Sequence, residues 1–179
     1  MSKKVMIVVG TRPNFIKITQ FQKEFEAYGD EFEYILVHTQ QHYDENMSNI
    51  FFKQLKLKEP EYLNVSPGSP SNQIGQCIIE IEKAVLKHKP DALVVLGDTN
   101  SSLLSYVAKR KKIPIFHLEA GNRCHDQRVP EEINRKIVDH LSDINLTYSN
   151  IARENLILEG FPEDQVFNIG SPIREVYNF

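Results

Sequence analysis

The sequence predicts an α/β fold built on a doubly wound parallel sheet. Three observations carry this. Short apolar, β-branched runs recur along the 179 residues, each followed by a stretch of helical periodicity. Polar residues gather directly after those runs rather than inside them. Glycine, proline and serine fall at the joins, where helices start and stop.

The elements follow in order. Val5-Met-Ile-Val-Val9 reads as the first strand, because its length and β-branching suit a strand buried on both faces. A helix over 13–28 follows, closed by Gly29-Asp30. The second strand is Tyr34-Ile-Leu-Val-His38, with a helix over 44–54 after it. Ser66-Pro-Gly-Ser-Pro-Ser71 is a loop leading into a helix over 71–88, too short to be a linker between domains. The third strand, Ala92–Leu96, feeds a helix over 100–110. The basic cluster Lys109-Arg-Lys-Lys112 complements that helix's dipole. Ile113 to Leu118 is the fourth strand. A helix over 131–141 starts at Pro130, a residue suited to a first helical position. Ile144–Thr147 is the fifth strand, followed by a helix over 150–159 capped by Ser149 and ended by Gly160. Val166–Ile169 is the sixth. One βα rhythm runs throughout, so residues 1–179 read as one domain.

Composition narrows the class. A chain that is 41% hydrophobic and 25% charged has enough apolar residues for a real core. A net charge of −3 argues against nucleic acid as the main partner, since tracking phosphates needs a basic face. Cys77 and Cys124 form no Cys-x-x-Cys pair, which excludes a disulfide framework and a structural zinc site. The first apolar run is too short for a signal peptide, and no run reaches membrane length. The expectation is a reduced, cytoplasmic protein.

In a parallel sheet the carboxyl ends of the strands share one edge, and ligands bind there. Gly10-Thr-Arg-Pro13, His38-Thr-Gln-Gln-His42, Gly97-Asp-Thr-Asn100, Glu119, Tyr148-Ser149 and Gly170-Ser-Pro172 all follow strands. One cleft therefore collects Arg12, His42, Asp98, Glu119 and the helix start at 131–135. The segment from His117 to Lys136 concentrates carboxylates, arginines and histidines there to a degree that stability alone does not require.

Each candidate has a plainer reading beside the functional one. Gly10–Asn14 lacks a full G-x-G-x-x-G, so a dinucleotide site is poorly supported. A helix start with Arg12 and Lys17 suits a phosphate, or is a simple turn. Asp98 caps a helix or serves the cleft; Glu119 on the next strand end favours the cleft, because neighbouring carboxylates can divide acid and base roles. Glu131 and Glu132 complement the helix dipole and can pair with Arg135 and Lys136 at about 0.2–0.5 kcal/mol each. One of the two pairs and the other faces the cleft. His117 shares a strand face with Glu119 and orients a neighbour or satisfies a backbone group; a metal reading lacks further ligands. Cys124 as a nucleophile lacks a base.

In order, Gly10-Thr-Arg-Pro-Asn-Phe-Ile-Lys17, His38-Thr-Gln-Gln-His-Tyr43, Gly97-Asp-Thr99, His117-Leu-Glu-Ala-Gly121, Pro130-Glu-Glu-Ile-Asn-Arg135 and Gly170-Ser-Pro172 resemble the non-hydrolysing UDP-N-acetylglucosamine 2-epimerase family. The insert from Asn122 to Val129 looks most like the branch acting on UDP-N-acetyl-6-deoxyhexosamines, including the enzymes that form UDP-N-acetyl-L-fucosamine. The resemblance implies the Rossmann-like N-terminal domain of a GT-B type fold, with a C-terminal nucleotide-binding domain absent and the isolated chain inactive. It implies inversion of C2 by anti elimination of UDP to a glycal and re-addition, without metal or other cofactor, in cell-surface polysaccharide precursor synthesis. Asp98, Glu119 and Glu131 match the family's catalytic carboxylates. Arg12, Lys17, Arg135 and His117 match substrate-binding positions. Gln41, His42 and Gln73 resemble a second UDP-sugar site, although Asn72, Gln40 and Ser171 stand where arginine, glycine and asparagine are frequent. The resemblance also implies a homodimer, with the helix at 71–88 a candidate interface. The alternatives are a GT-B glycosyltransferase domain and a non-catalytic binding fragment.

Overall fold

The computed structural model describes residues 2–40 and 57–177, the side chain of Arg12 excepted. In chain order the elements are β1 (Lys3–Val9), α1 (Arg12–Ala27), β2 (Phe32–His38), β3 (Glu61–Tyr62), α2 (Pro70–His88), β4 (Ala92–Leu96), a 3-10 turn (Asn100–Leu104) running into α3 (Ser105–Arg110), β5 (Ile115–Leu118), α4 (Pro130–Leu141), β6 (Ile144–Thr147), α5 (Asn150–Leu158), a 3-10 turn (Glu163–Gln165), β7 (Val166–Asn168) and α6 (Ile173–Tyr177). The seven described strands form one parallel sheet in the order β3-β2-β1-β4-β5-β6-β7. Strand order reverses between β1 and β4. That is the switch point at which an open α/β sheet leaves a crevice beyond its carboxyl edge.

Alternation along the strands divides the core. Met6, Val8, Leu93, Val95 and Ile115 face α2 and α3, packing on Cys77, Ile81, Val85 and Val107. Ile7, Val9, Leu36, Val94 and Leu118 face α1, packing on Phe15 and Ile18. Ile7 and Leu93 are fully buried, and burial of a side chain of that size stabilises by about 1.5–3 kcal/mol. Ser149 caps α5 by accepting from the Ala152 N–H at 3.1 Å. Pro130 opens α4 as its sequence position implies.

The differences from expectation have local causes. β3 is an edge strand of two residues, paired to Val37 and His38, and too short to show a period. The fourth predicted strand starts at Ile115 rather than Ile113, since Pro114 has no N–H to give a ladder. The helix over 100–110 begins as a 3-10 turn, where Ser102 Oγ donates to the Leu96 carbonyl at 3.2 Å and holds the chain against the strand end. The loop before α2 is anchored, with Ser69 Oγ accepting from the Asn72 N–H at 3.3 Å. The five-residue α6 was not expected. The predicted helix over 44–54, with Gln41 and His42, lies outside the described residues. No helix among the described residues is long and apolar enough to cross a membrane.

Candidate active site

β4 ends in a turn at Gly97, whose φ of 65° lies in the left-handed region that favours glycine. The Gly97 N–H donates to the Leu118 carbonyl at 2.9 Å, which ties the ends of β4 and β5 together. A Cβ at position 97 would stand 3.6 Å from Glu119 Oε2. Asp98 and Glu119 therefore flank one turn at the carboxyl edge of the sheet. Glu119 itself has a φ of 70°, a conformation that costs a side-chain-bearing residue about 1–3 kcal/mol. The strain sits on the residue that the motif reading assigns to chemistry.

Each of the two carboxylates meets a cation from a different helix. Lys17 of α1 pairs with Glu119, their side chains being 11% and 28% exposed. Its ammonium also lies 5.7 Å from the centre of the Tyr148 ring. Burial, and then the charge of Glu119, push the Tyr148 phenol above its ordinary pKa. Its buried hydroxyl has no hydrogen-bond partner among the described residues. Asp98 is gripped by α4. Arg135 Nε donates to Asp98 Oδ2 at 3.0 Å, with Nη2 donating to the same oxygen. Asn134 Nδ2 donates to the Asp98 carbonyl at 2.9 Å and to Asn100 Oδ1 at 3.1 Å, so neighbouring residues of one helix fix both backbone and carboxylate.

The adjacent glutamates of α4 separate. Glu132 is fully buried and accepts from the backbone N–H groups of Cys124 and His125 at 3.0 and 3.2 Å. Burial pushes its carboxyl up, but the Cys124 and His125 donors and the Arg135 guanidinium outweigh burial and hold it below the usual range. Glu131 is exposed, with no hydrogen bond or ion pair among the described residues. The expected Glu131–Arg135 pair does not form. Arg135 turns to Asp98 and to Glu132, 3.1 Å from its Nη1, whereas the Glu132–Lys136 pair forms at 3.7 Å.

His117 is fully buried. Its Nε2 lies 3.0 Å from the Gly97 carbonyl and therefore donates to it, and its Nδ1 faces Asp139 Oδ1 at 2.8 Å. With both nitrogens engaged inside the domain, the ring offers no surface to a ligand. The start of α1 is also less open than a phosphate cradle requires. The Gly10 and Thr11 N–H groups both donate to Asn14 Oδ1 at 3.2 Å, and Pro13 has no N–H. An anion there would depend on Lys17 and the helix dipole. The Arg12 side chain lies outside the description. Gln73 occupies the first turn of α2, which by its antiparallel run to the strands starts at the same sheet edge. Cys124, an exposed free thiol, donates from its Sγ to Glu132 Oε2 at 3.4 Å.

Sequence reasoning did not single out Asn134, Tyr148 or Asp139 as site residues. Asn134 lies inside the matched motif beside Arg135, and Tyr148 stands directly after a strand; both signals were present. Asp139 meets His117 across 22 positions and has no local pattern to mark it.

Fold and site together define a parallel α/β domain that presents two carboxylates, each on its own cation, from one sheet edge. The chain belongs to the UDP-N-acetylglucosamine 2-epimerase family, whose profile matches residues 23–178. It is 44% identical over 172 residues to the UDP-N-acetylglucosamine 2-epimerase of Methanocaldococcus jannaschii, covering 95% of this chain and 46% of that protein. It is 40% identical over 176 residues to the UDP-2,3-diacetamido-2,3-dideoxy-D-glucuronate 2-epimerase of Pseudomonas aeruginosa, covering 96% and 49%. The crystal structure of the Methanocaldococcus jannaschii enzyme in complex with UDP-GlcNAc and UDP matches with a TM-score of 0.89 at 42% identity, over 94% of this chain and 46% of that one. The chain spans about half the length of the relatives it matches.

Proposed function

We propose that this chain is the N-terminal half of a UDP-N-acetylhexosamine C2 epimerase. The observation that carries the reading is the pair of carboxylate–cation contacts, Glu119–Lys17 and Asp98–Arg135, on either side of the Gly97 turn. Inversion at C2 needs one group to remove the C2 proton and another to return a proton to the opposite face. Asp98 and Glu119 supply two such groups from one edge, and exposed Glu131 adds a third at the start of the helix that holds Asp98. As the C2–H bond breaks, the C1–O bond to UDP breaks with it and a glycal forms. Re-addition of UDP after reprotonation at C2 completes the inversion.

Negative charge grows on the departing diphosphate, and cations aimed there lower the barrier. Lys17, Arg135 and Arg12 take that role. Lys17 also links the two halves of the chemistry, because a diphosphate competes with Glu119 for its ammonium. His117 serves from inside the domain, through the turn that carries Asp98, and Gln73 with Gln41 and His42 forms a second UDP-sugar site. The substrate is a UDP-2-acetamido sugar. A second domain, of the kind that would fill the rest of the relatives' length, contributes most nucleotide contacts, and this half alone neither turns over nor binds UDP-sugar tightly. The free thiols Cys77 and Cys124 fit a reducing cytoplasm. A homodimer through the outer face of α2, where Ile79 and Leu86 are 58% and 57% exposed, belongs to the same reading.

The test is positional isotope exchange. UDP-GlcNAc carrying 18O in the C1–O–P bridge is incubated with the protein joined to its second half. Scrambling of the label into the non-bridging β-phosphate positions is expected. Transfer of the sugar to an acceptor, with no scrambling and no C2 epimer, would make this a glycosyltransferase domain instead.

A further inference from the structure

Behind the Gly97 turn lies a buried run of charged side chains that the proton chemistry does not use. Arg123, in the loop after β5, has a fully buried side chain. Its Nη1 donates to Asp139 Oδ2 at 2.8 Å, while its Nε donates to Glu159 Oε1 at 2.7 Å and its Nη2 to Glu159 Oε2. Asp139, on α4 and also fully buried, accepts from the Gly121 N–H at 3.3 Å and faces His117 Nδ1 at 2.8 Å. His117 Nε2 then donates to the Gly97 carbonyl at 3.0 Å. One unbroken set of contacts thus runs from the end of α5, through the loop, α4 and β5, to the residue beside Asp98.

Charged groups are costly to bury, and apolar residues of equal volume would hold the same elements together at least as well. What apolar packing cannot supply is direction at a single carbonyl oxygen. α4 already grips Asp98 from the front with Asn134 and Arg135. Asp139, one turn beyond Arg135, reaches the same turn from behind through His117. We propose that Arg123, Asp139 and His117 are positioning residues that fix the Gly97 carbonyl and thereby aim the Asp98 carboxylate. The loop between β5 and α4 is then a clamp on the turn, acting through this arginine. This inference rests on the epimerase reading for its catalytic consequence.

The experiment compares His117→Phe, His117→Gln and Arg123→Met by two readouts. In the protein carrying both halves, His117→Phe and Arg123→Met should lower kcat for C2 deuterium incorporation by about 10²-fold, with KM changed by less than about threefold, as expected for a misaimed catalytic group. His117→Gln keeps an amide donor for the Gly97 carbonyl and should regain at least about tenfold of that loss. In the present chain, backbone amide exchange at Gly97 and Asp98 should accelerate by about tenfold or more in His117→Phe and Arg123→Met, and less in His117→Gln. Unchanged kcat in the first two variants, or amide exchange at Gly97 and Asp98 equal to wild type, would overturn the proposal. So would equal loss in His117→Phe and His117→Gln. A wild-type protein that incorporates no deuterium at C2 would sink the epimerase reading alone, and the amide exchange would still decide whether the three residues set the turn.

Discussion

Asp98 and Arg135 stand 37 positions apart and meet at a single carboxylate oxygen, since both Arg135 Nε and Nη2 donate to Asp98 Oδ2. Asp98 Oδ1 makes no hydrogen bond among the described residues. Arg135 thereby aims the carboxylate while leaving one oxygen available for a proton. An ammonium cannot reproduce this two-pronged grip. Arg135→Lys should lower kcat for C2 exchange by about 10-fold or more and Arg135→Met by about 10²-fold, read by NMR in deuterated water.

The strain at Glu119 predicts a stability difference that is independent of catalysis. Glu119→Ala and Glu119→Gly both remove the carboxylate and both leave Lys17 without it. They differ in whether a Cβ must be held at a φ of 70°. Glu119→Gly should therefore be the more stable of the two by about 1 kcal/mol in urea denaturation. Equal stability would mean that the backbone relaxes and holds no strain.

The two glutamates of α4 should separate structure from chemistry. Glu132 is fully buried among donors, so Glu132→Ala should cost about 3–5 kcal/mol in unfolding free energy, as when a buried pair loses one partner. Glu131 is exposed and makes no such contact, so Glu131→Ala should stay within about 0.5 kcal/mol of wild type while reducing C2 exchange. The opposite pattern would exchange their roles.

Stability should also fall as the solution is acidified, through His38. The ring is 2% exposed, lies against Phe15 with centroids 4.9 Å apart, and accepts from the Gln40 N–H on Nδ1 at 2.9 Å. Burial pushes its pKa down from 6.5 to about 4. The unfolded chain takes up the proton near 6.5 while the folded chain resists it. The stabilisation is therefore fully present above that pH and is lost as pH falls toward the folded value, by about 3 kcal/mol in total. Urea midpoints between about pH 7.5 and pH 4.5 should fall in the wild type and fall less in His38→Phe, which has no group there to titrate.

Much of the sheet was legible because each long strand carries its signal locally. Val5–Val9, Tyr34–His38 and Ala92–Leu96 announce themselves by β-branching and by the polar residues that follow, and those polar residues mark the carboxyl edge of the sheet. β3 was not legible, since two residues have no period, and neither was α6, which is five residues long. In the site, Asp98, Glu119, Lys17 and Arg135 were all named from motifs and come together in two ion pairs. Which glutamate of α4 is buried could not be read from spacing. It depends on the Cys124 and His125 N–H groups, which arrive from a loop with no repeat. His117 was placed with the substrate by the family resemblance, whereas strand alternation allowed the plainer reading that it satisfies a backbone group, as its contact with the Gly97 carbonyl does. Its partner Asp139 lies a helix away, and the left-handed turn at Glu119 carries that carboxylate out of the strand's alternation.

The central claim is that Asp98 and Glu119, each held by its own cation, carry the protons that invert C2. The most direct measurement follows deuterium incorporation at C2 of UDP-GlcNAc in deuterated water, using the protein joined to its second half, as wild type, Asp98→Asn and Glu119→Gln. The account predicts incorporation in the wild type and a loss of at least about 10²-fold in each variant, with UDP still bound. Incorporation at the wild-type rate in both variants would contradict it.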